Sequence, residues 1–221
     1  MDAIALMDKA PVADKVKTRL IPPLNSEIAS ELYKSFVLDK IEQLKILGGV
    51  HRFLAYTPES SETYFKSIAP KDFTLINQIG SDLGEKLINV STTLFQQGFK
   101  KVVLSDSDTP NLPPELMIDA FRRLDSFDVV LGPCEDGGYY LIGLRSNMPE
   151  LFREIPWSTA SVTEFTTRRA MESHVTLTLL DKWYDIDTVQ ALSRLKKDLE
   201  SKPRIGFFCR NSYRTLSKID I

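Results

Sequence analysis

Apolar residues fall along this chain in two alternating rhythms. Ala3 to Met7 is a short apolar run fit for a buried strand. Further on, Ile28, Leu32, Phe36, Val37, Ile41 and Leu44 recur at spacings of three and four, the stripe of an amphipathic helix. Pro22-Pro23 stops regular structure before it, Asn25 or Ser26 can cap it, and Gly48-Gly49 ends it. Further strands are predicted at Val50 to Tyr56, Thr74 to Ile79, Lys101 to Ser105, Asp128 to Gly132, Tyr139 to Leu144 and Val175 to Leu180. Helices are predicted at Glu85 to Gln97, Pro114 to Leu124, Ser161 to Glu172, and from Thr188 to about Glu200, with a short amphipathic stretch around Thr63 to Ile68. Strand and helix alternate, which argues for an α/β domain with a mostly parallel central sheet and helices on both faces.

The last stretch breaks the alternation. Residues 201–221 carry Lys202, Arg204, Arg210, Arg214 and Lys218 against Asp220 alone, and read as a basic tail packed along the domain edge. Residues 1–221 together suit one domain.

Composition narrows the class. Lys plus Arg total 28 and Asp plus Glu total 30, a net charge of -2, so nothing global draws the chain to nucleic acid or an anionic membrane. Hydrophobic residues make up 43%, which fits a packed core, yet no apolar run is long enough to cross a bilayer. Cys134 and Cys209 are too few for a disulfide framework, and reduced thiols in a cytoplasm are expected.

In such sheets ligands bind outside the carboxyl ends of the strands, and the loops expected there are chemically rich. Lys9 to Leu20 holds Lys9, Lys15, Lys17 and Arg19, cations suited to a phosphate or diphosphate. It lacks the glycines of a Walker A loop, and a plain solvated basic loop is the alternative. Asp106-Ser-Asp108 follows a strand, so both carboxylates can turn to one Mg²⁺ or Mn²⁺. Alternatively, Asp108 caps the next helix. A haloacid-dehalogenase-type Asp-x-Asp-x-Thr does not fit, because Thr109 comes one place too early.

Gly132 to Tyr140 would hold Asp136 at a loop tip, with Tyr139 or Tyr140 covering a sugar or base. The same spacing makes a β-hairpin with an Asp-Gly turn. In Asp185-Ile-Asp187-Thr188, Asp187 or Thr188 can cap the helix that follows, while Asp185 could complete a metal site. Trp157, Ser158, Thr159 and Trp183 read as core or as a pocket wall, and His51 and His174 as structural.

Taken in order, these motifs resemble the DUF2064 family, the transferase-1 group associated with radical-SAM and selenium-domain proteins. The residues that carry the resemblance are Lys9, Pro11 and Val16 to Leu20, then Asp82 to Gly84, then Asp108, Pro110 and Leu112. Gly132, Pro133, Asp136 to Gly143, Pro156 to Thr159, Asp185 and Asp187-Thr188 complete it. Asp14 stands where the family usually has glycine, Lys86 where it has arginine, and Asp106 where it has glycine.

The resemblance implies a single GT-A-like nucleotide-diphospho-sugar transferase domain. It implies a nucleotide or nucleotide-sugar and a small-molecule acceptor as partners. Lys9, Lys17, Thr18, Arg19, Gly80, Asp82, Gly84 and Lys86 would contact nucleotide or phosphate. Asp106, Asp108, Asp185 and Asp187 would hold Mg²⁺ or Mn²⁺. Gly137, Gly138, Tyr139, Tyr140, Trp157, Ser158 and Thr159 would face substrate or acceptor. Lys17 would stabilise the departing diphosphate beside Asp108, and Asp136 would act as general base. A more distant likeness to guanylyltransferases leaves nucleotidyl transfer with pyrophosphate release as an alternative, and a non-catalytic nucleotide-binding protein as another.

Overall fold

The computed structural model describes residues 1–219; Asp220, counted above with the basic tail, lies outside them, as does Ile221. A seven-stranded sheet forms its centre. The strands are β1 (Asp2–Lys9), β2 (Val50–Thr57), β3 (Phe73–Asn77), β4 (Lys101–Asp106), β5 (Val129–Pro133), β6 (Tyr139–Leu144) and β7 (Leu177–Leu179), in the order β3-β2-β1-β4-β6-β5-β7. All neighbours pair parallel except at β6, which runs antiparallel to both β4 and β5.

Alternation within β1 explains the layers. Ile4 and Leu6 join one core, and Ala3 and Ala5 join the other. The first core is covered by α1 (Ser26–Lys45), α2 (Glu62–Ile68), α4 (Pro114–Arg123) and α6 (Val189–Ser201), and the second by α3 (Leu83–Gln96) and α5 (Val162–Glu172). Helix α1 starts at Asn25, whose Oδ1 accepts from the Ile28 amide at 2.8 Å. The expected stripe is buried from Leu32 to Leu44, but its first member, Ile28, is exposed. No described helix is long and apolar enough to cross a membrane.

The tail is more ordered than the sequence reading has it. It forms two short helices, α7 (Pro203–Phe208) and α8 (Arg210–Leu216), and α8 packs on α1. The buried Asp39 carboxylate of α1 anchors them. It accepts from the Asn211 and Ser212 amides at 2.9 and 2.8 Å, and from their side chains at 2.9 and 2.5 Å. Asp39→Ala strands these donors and should cost about 2–3 kcal/mol, read as a lower urea midpoint. A midpoint unchanged from wild type would mean that the tail is not held here.

Candidate functional site

The carboxyl ends of β1, β2, β3 and β4 share one edge, because these strands are parallel. The basic loop leaves β1 there. Lys9 Nζ donates to the Lys15 carbonyl at 3.0 Å and closes it. Asp14 is left-handed, with φ 61°, so it adopts the backbone shape that a glycine would take there.

Lys17 is also left-handed, at φ 48°, and its side chain turns inward and is only 2% exposed. Its ammonium lies 2.5 Å from Asp108 Oδ1 and 2.7 Å from Asp187 Oδ1, with the Phe36 and Tyr33 rings at 5.3 and 5.8 Å. Burial disfavours the charged amine, but the two carboxylates outweigh it and hold the Lys17 pKa above its ordinary value. Thr18 and Arg19 lie in a single 3₁₀ turn, and the exposed Arg19 reaches Asp187 at 3.9 Å. Asp187 feels its own burial first, yet Lys17 and Arg19 keep its carboxyl below the usual range.

Neither aspartate is spent on a helix cap. The residue before α4 is Pro113, with no side-chain cap, and Thr188 caps α6 through the Ala191 amide at 3.1 Å. A cleft of about 340 Å³ opens over the pair, lined by Lys9, Lys15, Lys17, Lys86, Asp8, Asp108 and Asp187 among others. Lys86 therefore keeps a cation where the family has arginine, without the bidentate fork.

Gly80, Asp82 and Gly84 stand beside this cleft in structural roles. Asp82 caps α3 by accepting from the Glu85 amide at 2.8 Å. A Cβ on Gly84 would lie 2.7 Å from both the Phe152 carbonyl and Trp157 Nε1, so its lack of side chain lets Trp157 pack on α3.

A second cleft, of about 380 Å³, adjoins across Asp187. Asp136, Asp185, Glu135, Arg19 and Arg194 are among its lining residues. The loop from Cys134 to Gly138 that carries Asp136 joins β5 to β6, so the hairpin reading and the site reading describe one segment. Asp136 Oδ1 accepts from the Gly138 amide at 2.8 Å. Thr163 ties the loop to α5 through the Gly137 and Gly138 carbonyls at 2.9 and 2.6 Å. Gly137 has φ 94°, and a Cβ there would meet the Ala160 carbonyl at 1.9 Å, so only glycine fits. Burial and the Asp136 charge raise the Asp185 carboxyl to about 6.

Several expected residues have other work. Tyr140 is fully buried over Gly132, and its hydroxyl donates to the Asp181 carbonyl at 2.9 Å, so it is core rather than a substrate cover. Tyr139 packs edge-on to Trp157, ring centres 6.3 Å apart, within the second core layer. Ser158 is exposed at φ 64°, and Thr159 Oγ1 donates to the Pro156 carbonyl at 2.7 Å. Neither lines either of these two clefts.

The four acidic residues expected on one cation are also divided. Asp108 and Asp187 meet at Lys17, whereas Asp185 lies with Asp136. Asp106 is the correction. Its Oδ1 accepts from Thr109 Oγ1 at 2.9 Å, and Lys17 pairs with Asp108 and Asp187 instead. Burial and the charge of Asp108 raise the Asp106 carboxyl. Within a strand residues 106 and 108 would share a face, but β4 ends at Asp106 and that alternation does not reach Asp108.

Beneath the cleft lies a group that the motifs did not mark. Asp8 is the penultimate residue of β1, is 1% exposed, and neither of its carboxylate oxygens accepts a hydrogen bond. Burial pushes its carboxyl up to about 8. Lys40 is fully buried on α1; burial lowers its amine, and Asp106 and Asp8 pull it back. Tyr33, whose hydroxyl accepts from Ser107 Oγ at 2.9 Å, completes the floor. The available signal was a lysine inside an apolar helical stripe, four residues after Phe36 and four before Leu44.

Do these groups suit a divalent cation? Two carboxylate oxygens, from Asp108 and Asp187, converge on one point, and an ammonium group occupies it. Both side chains stay about a third exposed, at 38% and 33%. Hard oxygen donors with room for phosphate oxygens fit Mg²⁺ or Mn²⁺.

The fold is that of nucleotide-diphospho-sugar transferases. A candidate nucleotide-diphospho-sugar transferase from Desulfovibrio desulfuricans G20 is 32% identical, with a TM-score of 0.89 over 99% of this chain and 95% of that one. Residues 40–159 match the family described as an uncharacterized protein conserved in bacteria, DUF2064, and the chain belongs to that family. A cytidylyltransferase from Leptospira borgpetersenii serovar Hardjo-bovis shares the fold at 14% identity and TM-score 0.59, over 99% of this chain and 94% of that one. So does 4-diphosphocytidyl-2C-methyl-D-erythritol synthase from Anaerococcus prevotii, at 9% identity and TM-score 0.59, over 98% and 96%. No curated protein matches the chain.

Proposed function

We propose that the protein is a transferase that seats the diphosphate of a nucleotide-sugar in the lysine-lined cleft and passes the sugar to an acceptor in the adjoining one. The observation that carries this reading is the Lys17 ammonium clasped by Asp108 and Asp187, on the floor of a cleft that Lys9, Lys15 and Lys86 also line. Four ammonium groups face a space suited to a polyanion. Asp108 and Asp187 would hold Mg²⁺ or Mn²⁺, which would supply Lewis-acid charge on the leaving phosphate. Lys17 and Arg19 stabilise that charge as it builds. Asp136, across Asp187, is the acceptor's general base, free on one carboxylate oxygen.

The test is thermal stability against a panel of nucleoside diphosphates, triphosphates and nucleotide-sugars, each with and without Mn²⁺. A ligand at a hundred times its dissociation constant adds about 2.7 kcal/mol. A metal-dependent rise with one nucleotide-sugar is expected, and Asp108→Ala should remove it. Unchanged nucleotide-sugar affinity in Asp108→Ala with Mn²⁺ present would overturn the metal role. No rise with any nucleotide would overturn the reading.

One observation favours nucleotidyl transfer as the second reading. Asp106 Oδ1 is taken by Thr109 Oγ1 while Asp108 and Asp187 meet at Lys17, so a cation held there would draw its ligands from two separate loops rather than from one Asp-x-Asp clamp. A rise with a triphosphate alone, and pyrophosphate release with a phosphorylated acceptor, would select it.

A further inference from the structure

Cys134 is one of two cysteines, and the two are chemically unlike. The Cys209 thiol donates to the Pro110 carbonyl at 2.8 Å and is a satisfied core group. The Cys134 thiol is 4% exposed and makes no hydrogen bond among the described residues. It points into a cluster with Asp136 and Asp185, and one ligand atom from each of the three lies within 4.8 Å of the others. Neither Asp136 nor Asp185 has an ion-pair partner among the described residues, while neighbouring Glu135 takes Arg194 at 2.9 Å. Two carboxylates and a thiol are thus gathered with no ion pair to either carboxylate among the described residues.

The backbone holds this cluster together from both sides. The Glu135 amide donates to the Trp183 carbonyl at 2.9 Å, and the Trp183 amide to the Pro133 carbonyl at 3.0 Å. These bonds lock the loop bearing Cys134 and Asp136 to the one bearing Asp185. The Cys134 amide donates to the Gly138 carbonyl at 2.8 Å and fixes the turn. Such supports pre-orient ligands.

We propose that Cys134, Asp136 and Asp185 form a second divalent-cation site, separate from the Asp108–Asp187 pair and selective for a borderline metal such as Zn²⁺. One thiolate and two carboxylates are the donor set for such an ion, whereas Mg²⁺ is poorly served by sulfur. Tetrahedral bonds to S and O set ligand atoms roughly 3.5 Å apart, inside the 4.8 Å within which these three are gathered. Asp136 and Asp185 line the second cleft, so an ion held there would be open to water or a ligand hydroxyl. The inference stands on these three side chains and does not need the nucleotide reading; an ion bound here would take Asp136 as a ligand in place of the general-base role given to it above.

Co²⁺ is the probe, because a cobalt–thiolate bond absorbs in the near ultraviolet. Titrating the metal-free full chain with Co²⁺ should give this charge-transfer band at one equivalent, and Zn²⁺ should erase it. Cys134→Ser should abolish the band with its urea midpoint kept, and Cys209→Ser should retain it. Asp185→Asn should weaken Co²⁺ binding roughly tenfold or more. Asp108→Ala should keep the band whether or not it binds nucleotide, which separates this site from the phosphate cleft. No band in the wild-type chain, or a band that survives Cys134→Ser, would overturn the proposal.

Discussion

Lys17→Met should weaken nucleotide binding about 10- to 150-fold, since a charged hydrogen bond contributes about 1.5–3 kcal/mol. The same substitution should tighten the binding of Mn²⁺ alone. In the free protein the Lys17 ammonium sits between Asp108 Oδ1 and Asp187 Oδ1, at 2.5 and 2.7 Å, where it competes with a metal ion for both oxygens. Methionine keeps the buried stem against Phe36 and Tyr33 but removes the charge. Calorimetry of Mn²⁺ and of nucleotide, each on wild type and variant, measures both effects. Movement of the two affinities in the same direction would mean that Lys17 is only a structural clamp. Folding should lose less than the 3–5 kcal/mol of a fully buried broken pair, because both carboxylates keep partial access to water.

The second large effect is on the pH dependence of stability. Asp8 ionises near 8 in the folded protein because burial strips its water, against an ordinary value of 3.8. A carboxyl whose folded pKa is raised contributes stability that is full below the unfolded value and is lost as pH climbs to the folded one. Wild type should therefore lose up to about 1.4 kcal/mol per pH unit between pH 4 and 8 through this group. Asp8→Asn removes the titration, so its stability curve should run flatter over that window and part from wild type as pH rises. Urea unfolding at unit pH intervals reads the slope. Parallel curves would show that Asp8 is already ionised, held by Lys40.

Much of the scaffold was legible because it obeys local rules. The stripe from Leu32 to Leu44 is helical and buried, and the apolar runs at residues 3–7 and 101–105 are central strands. The loop chemistry was legible too. The lysines after β1, Asp108 and Asp187 do converge, and Thr188, not Asp187, caps the last long helix. What escaped was set by distance along the chain. Lys40 donates to Thr109 across 69 residues, and Asp39 meets Ser212 across 173. Helices α7 and α8 contain a proline and a glycine and have little periodicity of their own; partners on α1 define them. Tyr140 was misread for a related reason. A tyrosine after Gly-Gly suits a ligand cover, but the neighbouring Gly132 leaves a hollow that the ring fills from within.

Asp39 and Lys40 are adjacent on α1, and their tasks set a timetable for the nascent chain. Residues 26–45 leave the ribosome well before residues 211 and 212, whose donors Asp39 accepts. Lys40 likewise awaits Thr109, to which it donates at 3.4 Å. The helix that floors the lysine-lined cleft is thus synthesised well ahead of the residues that finish it. Until then Asp39 stands without its donors beside a lysine without its hydroxyl acceptor, a gap that vectorial synthesis must bridge.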